Sequence, residues 1–214
     1  MPPSFAKVIS TELLDSKDSK WIKLVKIKYE EVDGQVRTWE ATRRTTRPKN
    51  SLVDAVQVVA ILNKESGPEL LLEKQFRPPA GKIVIEFPAG LVDEGETPEQ
   101  SVVRELMEET GYVGEVLPDR AGPRPILYSS PASSSSSTYL IHVKIDLSKA
   151  ENKDPKPKLE DGEFIECITV PLTTLYQQLH QWEAEGFAID GKVGAFADGI
   201  ETAKAWGLRS VAID

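Results

Sequence analysis

Four glutamates and an arginine stand at telling spacings in one acidic stretch of this chain. The stretch runs Glu86-Phe-Pro-Ala-Gly-Leu-Val-Asp-Glu-Gly-Glu-Thr-Pro-Glu-Gln-Ser-Val-Val-Arg-Glu-Leu-Met-Glu-Glu-Thr-Gly-Tyr112, and Glu96, Arg104, Glu105, Glu108 and Glu109 stand out in it. Its second half carries helix signals. Thr97 suits an N-cap, Pro98 the first helical position, and Gln100 completes a capping box with Thr97. Gly111 is placed to end the helix in the left-handed conformation. At about 100° per residue, Glu105, Glu108 and Glu109 fall within about 100° of one another, bordered by Arg104. Val102, Val103, Leu106 and Met107 form a separate apolar arc. Like charges three and four apart each destabilise a helix by a few tenths of a kcal/mol, so something cationic would relieve the cluster. Mg²⁺ takes oxygen ligands, usually one or two carboxylates with waters and substrate phosphates. Two readings stay open on these residues alone. Either the carboxylates are a solvated face, or they hold a divalent metal together with carbonyls of the glycine-rich loop.

The elements that must position this helix are mostly strands. Residues 20–29 alternate in polarity and read as a strand, Asp33-Gly34 as a turn, and 36–40 as the returning strand. Arg43 to Asn50 is basic, breaks at Pro48, and marks an edge between an N-terminal β unit (1–50) and the main domain (51–214). Strands are expected at 54–62, 69–76, 83–87, 126–128, 139–145 and 164–170, and helices at 173–185 and 191–206. The serine run at 129–138 reads as a mobile loop. Strands mixed with a few helices predict an α/β (α+β) fold.

Composition limits the function classes. With 214 residues the chain buries enough surface to fold without staples. Its single cysteine, Cys167, excludes an internal disulfide and a Cys-rich zinc site. A net charge of −8, from 26 basic and 34 acidic residues, argues against general affinity for nucleic acid or anionic membranes. No secretory leader or apolar span is legible, and a cytoplasmic protein, with the nucleus as the other compartment, is the expectation.

The acidic segment resembles the Nudix box, G-x5-E-x7-R-E-U-x-E-E-x-G-U with U apolar. Gly90, Glu96, Arg104, Glu105, Leu106, Glu108, Glu109, Gly111 and Tyr112 fill every specified position, the tyrosine as a mild variant. The resemblance implies the Nudix fold, mixed sheets sandwiched between helices, and hydrolysis of a nucleoside diphosphate linked to another moiety. It implies Mg²⁺, or Mn²⁺, held by Glu105 and Glu109 with Glu108 and the Ala89 carbonyl helping, and Glu96 paired with Arg104.

Outside the box, Lys20-Trp21, Arg37 to Glu40, Arg43 to Arg47, Gln75 to Pro79, Glu86 to Gly90 and Asp161 to Phe164 resemble the ADP-ribose/ADP-sugar pyrophosphatase branch. That likeness implies a homodimer exchanging the N-terminal β unit, with each site built from both chains. It implies Trp21 and Trp39 stacking on adenine, Glu40 selecting it, Arg44 and Arg77 clamping the diphosphate, and Leu91 lining the substrate site. Glu163, with Glu108, would be catalytic, Glu163 positioning or deprotonating the water. The chain departs from the branch at Tyr128 to Ala132, where relatives carry an acidic residue before Pro-Gly. Other readings are another nucleotide sugar, a dinucleotide or an oxidised nucleotide as substrate, or a nucleotide-sensing module without catalysis.

Overall fold

A computed structural model of the chain describes residues 6–119 and 122–208. The elements, in order, are β1 (Ile22–Glu30), β2 (Val36–Arg44), β3 (Ala55–Lys64), β4 (Gly67–Arg77), β5 (Lys82–Glu86), β6 (Ala89–Leu91), α1 (Pro98–Thr110), β7 (Gly114–Val116), β8 (Leu127–Tyr128), β9 (Ser137–Ile145), β10 (Ile165–Pro171), α2 (Leu175–Ala184), β11 (Ala188–Ile189) and α3 (Gly191–Ala205).

A nine-stranded mixed sheet forms the body, ordered β11-β5-β4-β3-β9-β7, with β10 on β4, β6 on β3 and β8 on β9. β3 lies centrally because it is apolar on both faces: Val56, Val58, Val59, Ala60 and Leu62 are fully buried. Its even-numbered residues pack with Leu71, Ile141, Val143 and the apolar arc of α1, Val102 and Leu106. On the other face, Val59 packs with Leu70, Leu72, Phe87, Leu175 and Leu179 of α2, and Val193 and Ala197 of α3. The result is the expected sheet sandwiched between helices.

β1 and β2 form a separate antiparallel ribbon in which Ile22 opposes Arg44 and Ile27 opposes Trp39. β2 runs on through Arg43 and Arg44, beyond the expected strand end, because β1 offers partners along its whole length. The serine-rich segment differs from expectation too. It is tied to the ribbon: the Thr42 N–H donates to the Ser133 carbonyl (2.8 Å), Ser135 N–H to the Thr42 carbonyl (3.0 Å), and Trp39 Nε1 to the Ala132 carbonyl (2.7 Å). A serine run has little apolar surface to bury, but its backbone saturates the free edge of β2.

Arg47 pins the ribbon to the sheet. Its Nε donates to Asp54 Oδ1 (3.0 Å), and its Nη2 donates to the Ser135 carbonyl and Ser137 Oγ, both at 3.0 Å. Burial alone would raise the Asp54 pKa, but hydrogen bonds from Arg47 and the Ser137 N–H outweigh it and hold the carboxyl below its ordinary value. Among the described residues no helix is long and apolar enough to cross a membrane.

Candidate active site

The helix signals translate directly into α1. Thr97 Oγ1 accepts from the Gln100 N–H (3.2 Å), the Gln100 side chain accepts from the Thr97 N–H (2.8 Å), and Pro98 takes the first position. Gly111 closes the helix at φ 75°. A Cβ there would also lie 2.2 Å from the Lys156 nitrogen, so both torsion and space demand glycine.

Arg104 organises the acidic face. Its Nε and Nη2 reach the two Glu96 oxygens (2.9 Å each), bracing the loop against the helix. Its Nη2 also donates to the Leu91 carbonyl (3.2 Å), and its Nη1 to Glu105 Oε1 (2.8 Å) and Glu108 Oε2 (3.1 Å). One guanidinium therefore bridges loop, helix and carboxylates. The Arg104 hydrogen bond is the main reason the Glu96 pKa falls below its ordinary value.

Glu109 is buried, and its Oε2 accepts from the Ala89 N–H at 2.8 Å. The helix is thus latched to the loop through the backbone of Ala89. Burial, then the charge of Glu105, pushes Glu109 above the ordinary carboxylate range. Glu105 also rises, through burial, although Arg104 opposes the shift. Gly90 lets these parts meet: a Cβ on it would lie 1.8 Å from Glu105 Oε1. Its φ is not positive, so close approach is what requires glycine.

Beneath α1, sequence reasoning missed an acid. Glu73 on β4 is 1% exposed, and its Oε1 is buried with no hydrogen-bond partner. It opposes Glu86 on β5 and Cys167 on β10. Burial, then Glu109 and Glu86, drives its pKa upward. Burial, then the charges of Glu73, Glu109 and Glu166, lift the Cys167 thiol to about 12. A glutamate directly after the apolar run Leu70–Leu72, in a strand otherwise destined for the sheet centre, was the signal to notice. Glu163, in its turn, accepts from the Glu160 N–H at Oε2 (2.9 Å), and its charge contributes to the raised pKa values of Glu73, Glu105 and Glu109.

The carboxyls fit a hard divalent cation chemically. The donor set is all oxygen, it is buried enough to repel itself, and Glu73 leaves an orphaned oxygen below it. Among the described residues no three His, Cys, Asp or Glu side chains are arranged to hold a metal ion together, and Arg104 occupies Glu105 and Glu108 instead.

Glu73 also sets a stability test. Its folded pKa lies above the unfolded carboxyl value of about 4.3, so its stabilising effect is complete below that pH and is lost as pH rises. Glu73→Leu should raise unfolding free energy by about 1–3 kcal/mol near pH 8 in EDTA, with a smaller gain at pH 5. Urea titrations at both pH values measure this, and equal stability at both would show that Glu73 is not an orphaned acid.

On the other side of the Ala89–Leu91 loop lies a cavity of about 300 Å³, lined by Arg44, Arg77, Ala89, Leu91, Gln57 and Lys192 among others. Arg77 Nε donates to Glu86 Oε1 (2.7 Å), which turns the guanidinium along the rim. The structure thus gathers Arg44, Arg77, Ala89 and Leu91 around one space. Gln57 and Lys192 were not foreseen.

Trp21, Trp39 and Glu40 lie on the ribbon. Trp21 and Trp39 are 65% and 51% exposed, so neither is a core residue. Trp39 opposes Ile27, six positions along the ribbon from Trp21, which is about 20 Å at strand spacing. Stacked rings lie about 4.5–7 Å apart, so two rings flanking one base are at most about 14 Å apart. The backbones of the two tryptophans in a single chain thus stand farther apart than two rings that flank one base.

A capped acidic helix on a mixed sheet, latched through a glycine loop that borders an arginine-rimmed cavity, defines a Nudix-type domain. The chain belongs to the Nudix family: the NUDIX domain model matches residues 52–188. It is 37% identical over 210 residues to an ADP-ribose pyrophosphatase of Saccharomyces cerevisiae, covering 97% of this chain and 89% of that one. It is 40% identical over 200 residues to an ADP-sugar pyrophosphatase of Mus musculus, covering 92% and 88%. An uncharacterized Nudix hydrolase of Schizosaccharomyces pombe is 42% identical over 194 residues, covering 91% and 92%.

Proposed function

We propose that this chain is a divalent-metal-dependent pyrophosphatase that hydrolyses ADP-ribose, or a related ADP-sugar, to AMP and a sugar phosphate. The observation that carries the reading is the Ala89–Leu91 loop, with the arginine-rimmed cavity on one side and the Glu105/Glu109 carboxyls on the other. The names of the yeast and mouse relatives point the same way.

Glu105, Glu109, Glu108 and the Ala89 carbonyl would hold Mg²⁺, with Mn²⁺ as a substitute. Bound there, the metal supplies Lewis-acid stabilisation of charge on the phosphoryl oxygens and lowers the pKa of water. The protein supplies the rest. Arg44 and Arg77 bind the diphosphate, because a planar guanidinium presents paired donors to phosphate oxygens. Leu91 packs against the substrate, and Glu40 selects adenine. Glu163 accepts the proton of the attacking water, a role typically worth about 10²–10⁴-fold, with Glu108 as the second catalytic acid.

The site is completed across a homodimer in this reading. The backbone spacing of Trp21 and Trp39 within one chain favours Trp21 of one protomer and Trp39 of its partner flanking the adenine. The ribbon also exposes Ile22, Leu24, Ile27 and Val36, an apolar surface that a second copy would cover. A two-stranded ribbon is marginal alone, which favours its exchange onto a partner. The cytoplasm is the proposed compartment.

Chromatographic detection of AMP from a panel of nucleotide sugars, with and without Mg²⁺, tests the activity. Tight binding of ADP-ribose with no AMP released would replace the enzyme with a sensor. Trp39→Ala should raise KM about tenfold while kcat changes little, because stacking acts in ground and transition states alike. Steady-state kinetics on ADP-ribose check it, and an unchanged KM removes Trp39 from the site.

A further inference from the structure

Gln57 interrupts the apolar run from Ala55 to Leu62, with fully buried Val56 and Val58 on either side. Its residue exposure is 9%, and its carboxamide oxygen is buried with no hydrogen-bond partner. Leucine or methionine would fill this volume with no orphaned acceptor, so packing does not account for the amide. Gln57 opposes Ala89 across the β3–β6 pairing. Directly opposed residues on antiparallel strands project to the same face, which sets the Gln57 side chain beside the loop. There it lines the cavity with Arg44, Arg77 and Leu91, and with Ser129 and Ser136 from the serine-rich segment.

We propose that Gln57 is a specificity-determining residue of this cavity, its carboxamide turning about its last bond to accept a hydrogen bond from a hydroxyl on the group attached to the distal phosphate. The inference rests on the pyrophosphatase reading and deepens it. The carboxamide carries an NH2 donor and an oxygen acceptor; phosphate oxygens can use only the donor and would leave the acceptor orphaned. A sugar hydroxyl supplies the missing donor. The base end is an unsuitable occupant, because the tryptophans stand on the exposed ribbon while Gln57 sits in the central strand under the loop. The site therefore favours nucleoside diphosphates capped by a polyhydroxylated group over those capped by one without hydroxyls.

The test compares kcat/KM for ADP-ribose and for the β-methyl ester of ADP, which has the same cleavable linkage and no distal hydroxyl. Gln57→Leu should lose roughly tenfold or more on ADP-ribose and change by about threefold or less on the methyl ester, since a site built around a hydroxyl discriminates through its unpaired group. Gln57→Met serves as a second variant, and thermal unfolding of both should match or exceed the parent. Equal losses on the two substrates, or no loss on ADP-ribose, overturn the role of Gln57 while leaving the pyrophosphatase standing. A parent protein that releases AMP from neither substrate overturns both readings.

Discussion

Glu109→Gln should reduce AMP release from ADP-ribose by roughly 10³-fold or more under saturating Mg²⁺, with the fold intact. The change is one atom. The glutamine oxygen can still accept from the Ala89 N–H, so the latch between helix and loop survives. What disappears is an ionisable carboxyl that the protein buries against Glu105 and Glu73. Removing it relieves repulsion, so the melting temperature should stay level or rise while turnover collapses. That opposite movement separates a functional carboxylate from a structural one. If the variant turns over at the parent rate, Glu109 has no part in the chemistry and the metal assignment fails with it.

Gly90→Ala should cost about 10²-fold in kcat with little loss of stability. The added methyl would meet the Glu105 carboxylate at 1.8 Å and its Cδ at 1.9 Å. These atoms end a flexible side chain, so the fold gives way by moving Glu105 and the backbone need not break. Glu105 is held by Arg104 at 2.8 Å, and its displacement disturbs the clamp that also holds Glu96, Glu108 and the Leu91 carbonyl. Misplacing a reacting group by about 1 Å costs on the order of 10²-fold. Because Gly90 has no positive φ, backbone strain adds nothing. Kinetics and thermal unfolding on the same preparation check this, and a fully active variant would mean that Glu105 does not need to approach the loop.

Between Gly90 and Tyr112 the sequence by itself determined nearly everything local. The capping box, the left-handed glycine and the sorting of α1 into apolar and acidic faces depend on spacings of three and four residues, which helical geometry converts directly into neighbours. The Glu96–Arg104 pair was implied by the resemblance to the Nudix box, and the strand-rich architecture was legible from alternating and β-branched runs. Short β6 was not, because a three-residue strand in a glycine loop exists only through its pairing with β3. Contacts set by register were equally out of reach. Tertiary structure alone placed Gln57 and Lys192 in the cavity, buried Glu73 under Glu109, drew the serine run onto β2 and spaced Trp39 along the ribbon opposite Ile27. Each joins residues distant in sequence, where no local period constrains the outcome and strand pairing decides which side chains meet.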